Sequence, residues 1–174
     1  VDDTPPTASA GGPYTGNEGT TISLDASASV GTISLYEWDL DNDGQYDDAV
    51  GASALFSTTD DGVFTVGLRV TGPNGSTTDS TTVTVENLAP TASAGGPYTI
   101  DEGQPLVLAA VASDPAGAAD PLTYTWDLND DGTFGDALGA APTVTWSQLV
   151  ALGVLDGPTA RDIRVRVDDG DGGV

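Results

Sequence analysis

The stretch YEWDLDNDGQYDDAVG at residues 36–51 returns as YTWDLNDDGTFGDALG at residues 124–139. A buried-type aromatic runs straight into an acidic, glycine-containing turn, twice, so the chain is built from one unit used two times. Upstream, PTASAGGPYTGNEGTTISLDASAS at 6–29 returns at 90–113 as PTASAGGPYTIDEGQPLVLAAVAS, with 16 of 24 positions identical. The first blocks lie 84 residues apart and the second blocks 88, which predicts a small insertion in the second copy around Asp114–Pro121. Two modules follow, 1–87 and 88–174, joined at Glu86-Asn87-Leu88-Ala89-Pro90. The joint is short, and Pro90 confines the residue before it to extended backbone. It predicts an elongated pair with little interface.

Within each copy the apolar residues alternate. Thr20–Leu24, Phe64–Val70 and Thr81–Val85 carry the period of half-buried strands, and Gly, Pro, Asn and Asp fill the gaps between such runs. Many short strands with regular turn signals predict an all-β sandwich in each module. One helical turn is expected, with Ser147 as N-cap, Gln148–Leu152 as its body and Gly153 as its stop. Trp38 and Trp126, on the strands that enter the acidic turns, are read as core anchors.

Composition narrows the function. The 174 residues hold 27 acidic and 4 basic side chains, a net charge of −23, with 38% hydrophobic residues to build cores. Such a surface repels nucleic acid and anionic membranes and attracts cations. There is no Cys and no His, so thiol chemistry, the commonest general base and the commonest transition-metal ligand are all missing. No run approaches the roughly 20 apolar residues of a membrane span. The chain starts at Val1 in mid-motif rather than at Met, and is read as part of a longer protein.

The order PTASAG, EG…L…ASAS, Y-x-WDL with its acidic turn, then GLRVTGPNGSTTDSTTVTV resembles a PKD (polycystic-kidney-disease) domain, twice over and across essentially the whole chain. The resemblance implies two tandem seven-stranded, immunoglobulin-like β-sandwiches of an extracellular or cell-surface protein. One departure matters. The first copy closes with the strand Thr77–Val85, whereas the second stops at RVRVDDGDGGV, so the second sandwich is expected to lack its final strand. The strand before it, 162–168, would then be an open edge, which natural proteins avoid. Both a continuing array and a strand donated by another chain would account for it.

The acidic turn carries the chemistry. Asp39, Asp41 and Asp43, followed by Gly44, place carboxylates at alternate positions, as in the first half of a calcium loop that curls its side chains onto one hard cation. Val50 stands at the twelfth position, where an EF-hand needs a bidentate acid, so this is not an EF-hand. Asp48, matched by Asp136 in the second copy, is the candidate fourth ligand. The second copy offers Asp127, Asn129, Asp131 and Asp136. Calcium is therefore the expected cofactor. The other reading is an acidic turn whose Asp and Asn side chains bond their own backbone. Some PKD-like domains hold calcium at the module edge instead, and the matching positions here are Asp3, Asn87, Asp168 and Asp169.

Gly11-Gly12-Pro13-Tyr14 and Gly95-Gly96-Pro97-Tyr98 lack the Lys and the following helix of a phosphate loop, and are read as bulged turns with a tyrosine lid. Asn74-Gly75-Ser76 is a glycosylation sequon by pattern. These readings predict a non-enzymatic structural repeat of a stalk, adhesin or filament, stiffened by calcium. Its partners would be neighbouring copies or adjacent repeats, with glycans as a further class. The alternative is an accessory carbohydrate- or protein-binding module of a secreted hydrolase, which would show exposed coplanar aromatics.

Overall fold

The computed structural model of the chain describes residues 4–154 and 157–173. It divides into two compact units, Val1–Asn87 and Leu88–Val174, each with its own hydrophobic core.

Among the described residues the first unit has seven strands: β1 (Tyr14–Asn17), β2 (Thr21–Asp25), β3 (Leu35–Asp39), β4 (Ala49–Val50), β5 (Ser53–Ser57), β6 (Gly62–Gly72) and β7 (Gly75–Glu86). One sheet runs in the order β1-β7-β6-β3-β4, and β2 pairs with β5 to form the other. The alternation seen in the sequence sets the faces. Ile22 and Leu24 of β2, Ala54 and Phe56 of β5, Val66, Leu68 and Val70 of β6, and Val83 and Val85 of β7 all turn into one core around Trp38. Its counterpart Trp126 is buried in the same way, and each indole N–H donates to a turn carbonyl, Gly51 O at 3.0 Å and Gly139 O at 2.9 Å. β7 organises this unit. It pairs antiparallel with β6 from Gly75 to Val85 and parallel with β1, and its Asp79 Oδ2 accepts the Ala10 N–H at 2.8 Å.

The second unit repeats the plan with β8 (Thr91–Ser93), β9 (Leu106–Val107), β10 (Val111–Ser113), β11 (Thr123–Asp127), β12 (Ala137–Leu138), β13 (Thr143–Val144) and β14 (Arg164–Asp168). They pair as β12-β11-β14, β13-β9 and β10-β8. β14 matches β6, but among the described residues nothing corresponds to β7. Two consequences follow. Among the described residues β14 is a sheet edge, and Tyr98–Asp101, which matches β1, has no β7-like strand to pair with and is irregular.

The helical turn is present but shifted. It is α1 (Trp146–Ala151), capped by Thr145 rather than Ser147. The sequence Thr145-x-x-Gln148 makes a capping box, with Thr145 N–H donating to Gln148 Oε1 at 2.9 Å and Gln148 N–H to Thr145 Oγ1 at 3.4 Å. Ser147 has Val150 three residues on, which cannot return the bond.

The glycine-rich turns are tyrosine-locked. Tyr14 Oη donates to Ala10 O at 2.9 Å, and Asp25 N–H donates back to it at 2.9 Å. Tyr98 repeats this with Ala94 O at 2.6 Å and Ala109 N–H at 2.9 Å. Glycine is required just ahead of the lid: Gly95 has φ +72, and a Cβ there would lie 2.5 Å from Ala109 O. Tyr14→Phe should therefore destabilise the first unit by about 0.5–1.5 kcal/mol, since it strips the part-buried Ala10 carbonyl and the exposed Asp25 N–H of their partner without emptying the site. Urea unfolding of the variant checks this, and a midpoint equal to the parent's would contradict it.

Candidate metal centre

β3 delivers Asp39 beside Trp38, and the chain then turns sharply before β4. Asp39 is 3% exposed. Its two oxygens accept the Asp43 N–H at 3.2 Å and the Gly44 N–H at 3.0 Å, so the buried carboxylate is the hub of the loop. Asp41 Oδ1 accepts the Asp43 N–H at 3.1 Å, and Asp43 Oδ1 accepts the Gln45 N–H at 2.7 Å. These are the Asx turns of the second reading. They also wind the loop so that Asp39, Asp41 and Asp43 converge, with one oxygen of each within 4.8 Å of the others. Asn42 takes φ +59 to permit this, a conformation Asn tolerates better than most side chains.

Asp48 lies outside that triad. Its Oδ2 accepts the Leu40 N–H at 2.6 Å and the Asp41 N–H at 3.2 Å, bracing the start of the loop. It braces the loop through Oδ2, and the converging group of carboxylates does not include it. Its charge is still felt. At Asp41 the Asp43 N–H pulls the pKa down, but desolvation and the carboxylates of Asp43, Asp48 and Asp39 together hold it above the ordinary value.

The second loop keeps the scaffold and changes the charges. Asp127 is fully buried, and its oxygens accept the Asp130 N–H at 2.8 Å and the Gly132 N–H at 3.0 Å. Asp136 Oδ2 accepts the Leu128 N–H at 2.8 Å, matching Asp48. At the position of Asp41 stands Asn129, whose amide donates to Asp131 Oδ2 at 3.0 Å. The Thr133 N–H, and after it the Asn129 amide, hold the Asp131 pKa below its usual value, the reverse of Asp41. Arg164 Nη2 lies 2.7 Å from Asp130 Oδ1. Arg69 pairs instead with Glu37 at 2.9 Å, on the neighbouring strand. Both copies stack an arginine over the aromatic of the loop, Arg69 on Tyr46 and Arg166 on Phe134.

Of the module-edge residues, Asp3 lies outside the described residues. Asp168 Oδ1 accepts the Gly170 N–H at 3.0 Å, and Asp169 Oδ1 accepts the Asp171 and Gly173 N–H groups at 3.0 and 2.9 Å, so both cap their own turn. The three Trp, five Tyr and three Phe side chains are all buried or half-buried. Among the described residues no helix is long and apolar enough to cross a membrane.

A family model described as PKD domain matches residues 3–86 and again residues 87–149. No curated protein matches the chain. Among solved structures, the N-terminal four Ig domains of Dscam1 isoform 6.9 share 14% identity at a TM-score of 0.51, over 97% of this chain and 44% of that one. Isoform 9.44 gives 14% and 0.48, over 82% of this chain and 39% of its own length. The fibronectin(III)-like modules of Clostridium thermocellum CbhA give 15% and 0.38, over 96% and 88%. The chain thus spans about two fifths of the length of the Dscam1 structures, and the likeness is one of fold.

Proposed function

Since the chain belongs to the PKD domain family, matched in two tandem segments, we propose that it serves an extracellular protein as a repeated structural module of a stalk, adhesin or filament. PKD and Ig-like domains are generally non-catalytic and typically occur in extracellular proteins. In this reading calcium stiffens the first acidic loop, and a strand from outside residues 90–174 completes the second sandwich. The observation that carries the calcium reading is the convergence of Asp39, Asp41 and Asp43 within 4.8 Å. Three carboxylates at that spacing repel one another and offer hard oxygen donors at the separations a calcium shell requires. The strand reading rests on the β14 edge. Adjacent repeats or other copies are the natural suppliers of a strand, because the first unit shows that this same sequence family makes one that fits.

Calcium is tested by thermal unfolding in chelator and in millimolar Ca²⁺. A cation that binds only the folded state, at a hundred times its dissociation constant, adds about 2.7 kcal/mol. The midpoint should rise with Ca²⁺ in the parent and stay flat in Asp41→Asn. An equal midpoint in chelator and calcium would sink the calcium reading.

A further inference from the structure

The two acidic loops share a backbone but differ in what faces them. In the first unit Asp39 sits opposite Gly67 across the β3–β6 ladder, and in the second Asp127 sits opposite Arg164 across β11–β14. The substitution puts a guanidinium where the first unit has only a hydrogen. That position in the first unit is tight, since a Cβ on Gly67 would lie 3.2 Å from the Tyr46 ring and 3.4 Å from Asp39 Cβ. Over residues 37–48 with the facing positions 67 and 69, six carboxylates meet one arginine; over 125–136 with 164 and 166, four meet two. The ion pair of Arg164 with Asp130 and the amide of Asn129 on Asp131 are the physical form of that difference. Asp130 is itself tied to Asp127 through its N–H, so the charge of Arg164 is delivered to the part of the loop that Asp127 organises.

We propose that Arg164 is the built-in counter-cation of the second loop, so that a divalent cation is needed by the first loop and not by the second. The half concerning the first loop rests on the calcium reading above. The half concerning Arg164 stands on the ion pair and the register alone. An exposed pair is a weak stabiliser and is screened by salt, so its signature is a local change in salt and cation dependence.

Hydrogen exchange of the full chain, read separately over residues 36–50 and 124–138, resolves the two loops. In the parent protein, adding Ca²⁺ to chelated sample should slow exchange in 36–50 and leave 124–138 as it was. In Arg164→Gln at low ionic strength, 124–138 should exchange about two- to fivefold faster, with NaCl or Ca²⁺ restoring it and 36–50 unaltered. Unchanged exchange over 124–138 in Arg164→Gln would overturn the role of Arg164. Equal protection of both loops by Ca²⁺ in the parent would overturn the division between them. If Ca²⁺ protects neither loop while the Arg164→Gln effect persists, the calcium reading fails and the counter-cation assignment holds.

Discussion

Trp38→Ala is expected to cost the first unit about 3–5 kcal/mol, the range for deleting a large buried aromatic. The side chain is fully buried at the centre of a core drawn from both sheets, and its N–H satisfies Gly51 O. A unit of this length holds only roughly 4–13 kcal/mol in total, so most of its stability is at stake. Trp38→Phe keeps much of the volume but leaves the Gly51 carbonyl without its donor, and should cost less, about 1–3 kcal/mol. Val50, at the end of β4 and 68% exposed, sets the floor: Val50→Ser should fall within about 0.5 kcal/mol of the parent. Urea unfolding followed by circular dichroism measures all three. A Trp38→Ala midpoint close to that of Val50→Ser would mean that this tryptophan does not anchor the sandwich.

What the sequence made legible, and what it hid, divides along the range of the interactions. The repeat, the period-2 strands and the Trp-Asp entry into the acidic turn are local, and they suffice for the β-sandwich. Asp39, Asp41 and Asp43 are also local, because alternate positions in a tight turn must converge once Gly44 lets the chain bend. The capping box at Thr145 was equally readable, since Thr and Gln stand at the required spacing, but Ser147 competes for the same role on composition alone. The bracing action of Asp48 required knowing that β3 and β4 bring the end of the loop back over its beginning. Arg164 was hidden altogether. It lies far along the chain from Asp130, and only the β11–β14 register sets it beside the loop. The same holds for the parallel pairing of β1 with β7, which joins segments about 70 residues apart and explains why the matching stretch in the second copy, which opens on the same Tyr-Thr pair, is not a strand.

That unpaired stretch leads to the second large expected effect: extending the chain past Val174 with a turn and a strand copied from Gly75–Glu86 should raise the melting point of the second unit by about 10 °C. In the first unit, β7 lies between β1 and β6 and buries Val83 completely and Val85 to 3%. Burying two such side chains is worth about 3–6 kcal/mol. The ladder hydrogen bonds to both neighbours offset the cost of ordering the added strand, about 1–2 kcal/mol per residue, and each kcal/mol retained moves the midpoint of a unit this size by about 4–8 °C. The template also fixes the register. The added strand should run antiparallel to β14 and parallel to Tyr98–Asp101, converting the latter into a strand like β1. Its counterpart of Asp79 should accept the Ala94 N–H, as Asp79 accepts that of Ala10. Slowed hydrogen exchange at both 98–101 and 164–168 is the diagnostic, because strand addition gains its hydrogen bonds along both neighbours at once. Replacing the two inward valines of the added strand by Asp should abolish the gain while leaving its length and turn unchanged. A strand that stabilises equally well with those aspartates would show that the edge of β14 is not an acceptor for a β7-like partner.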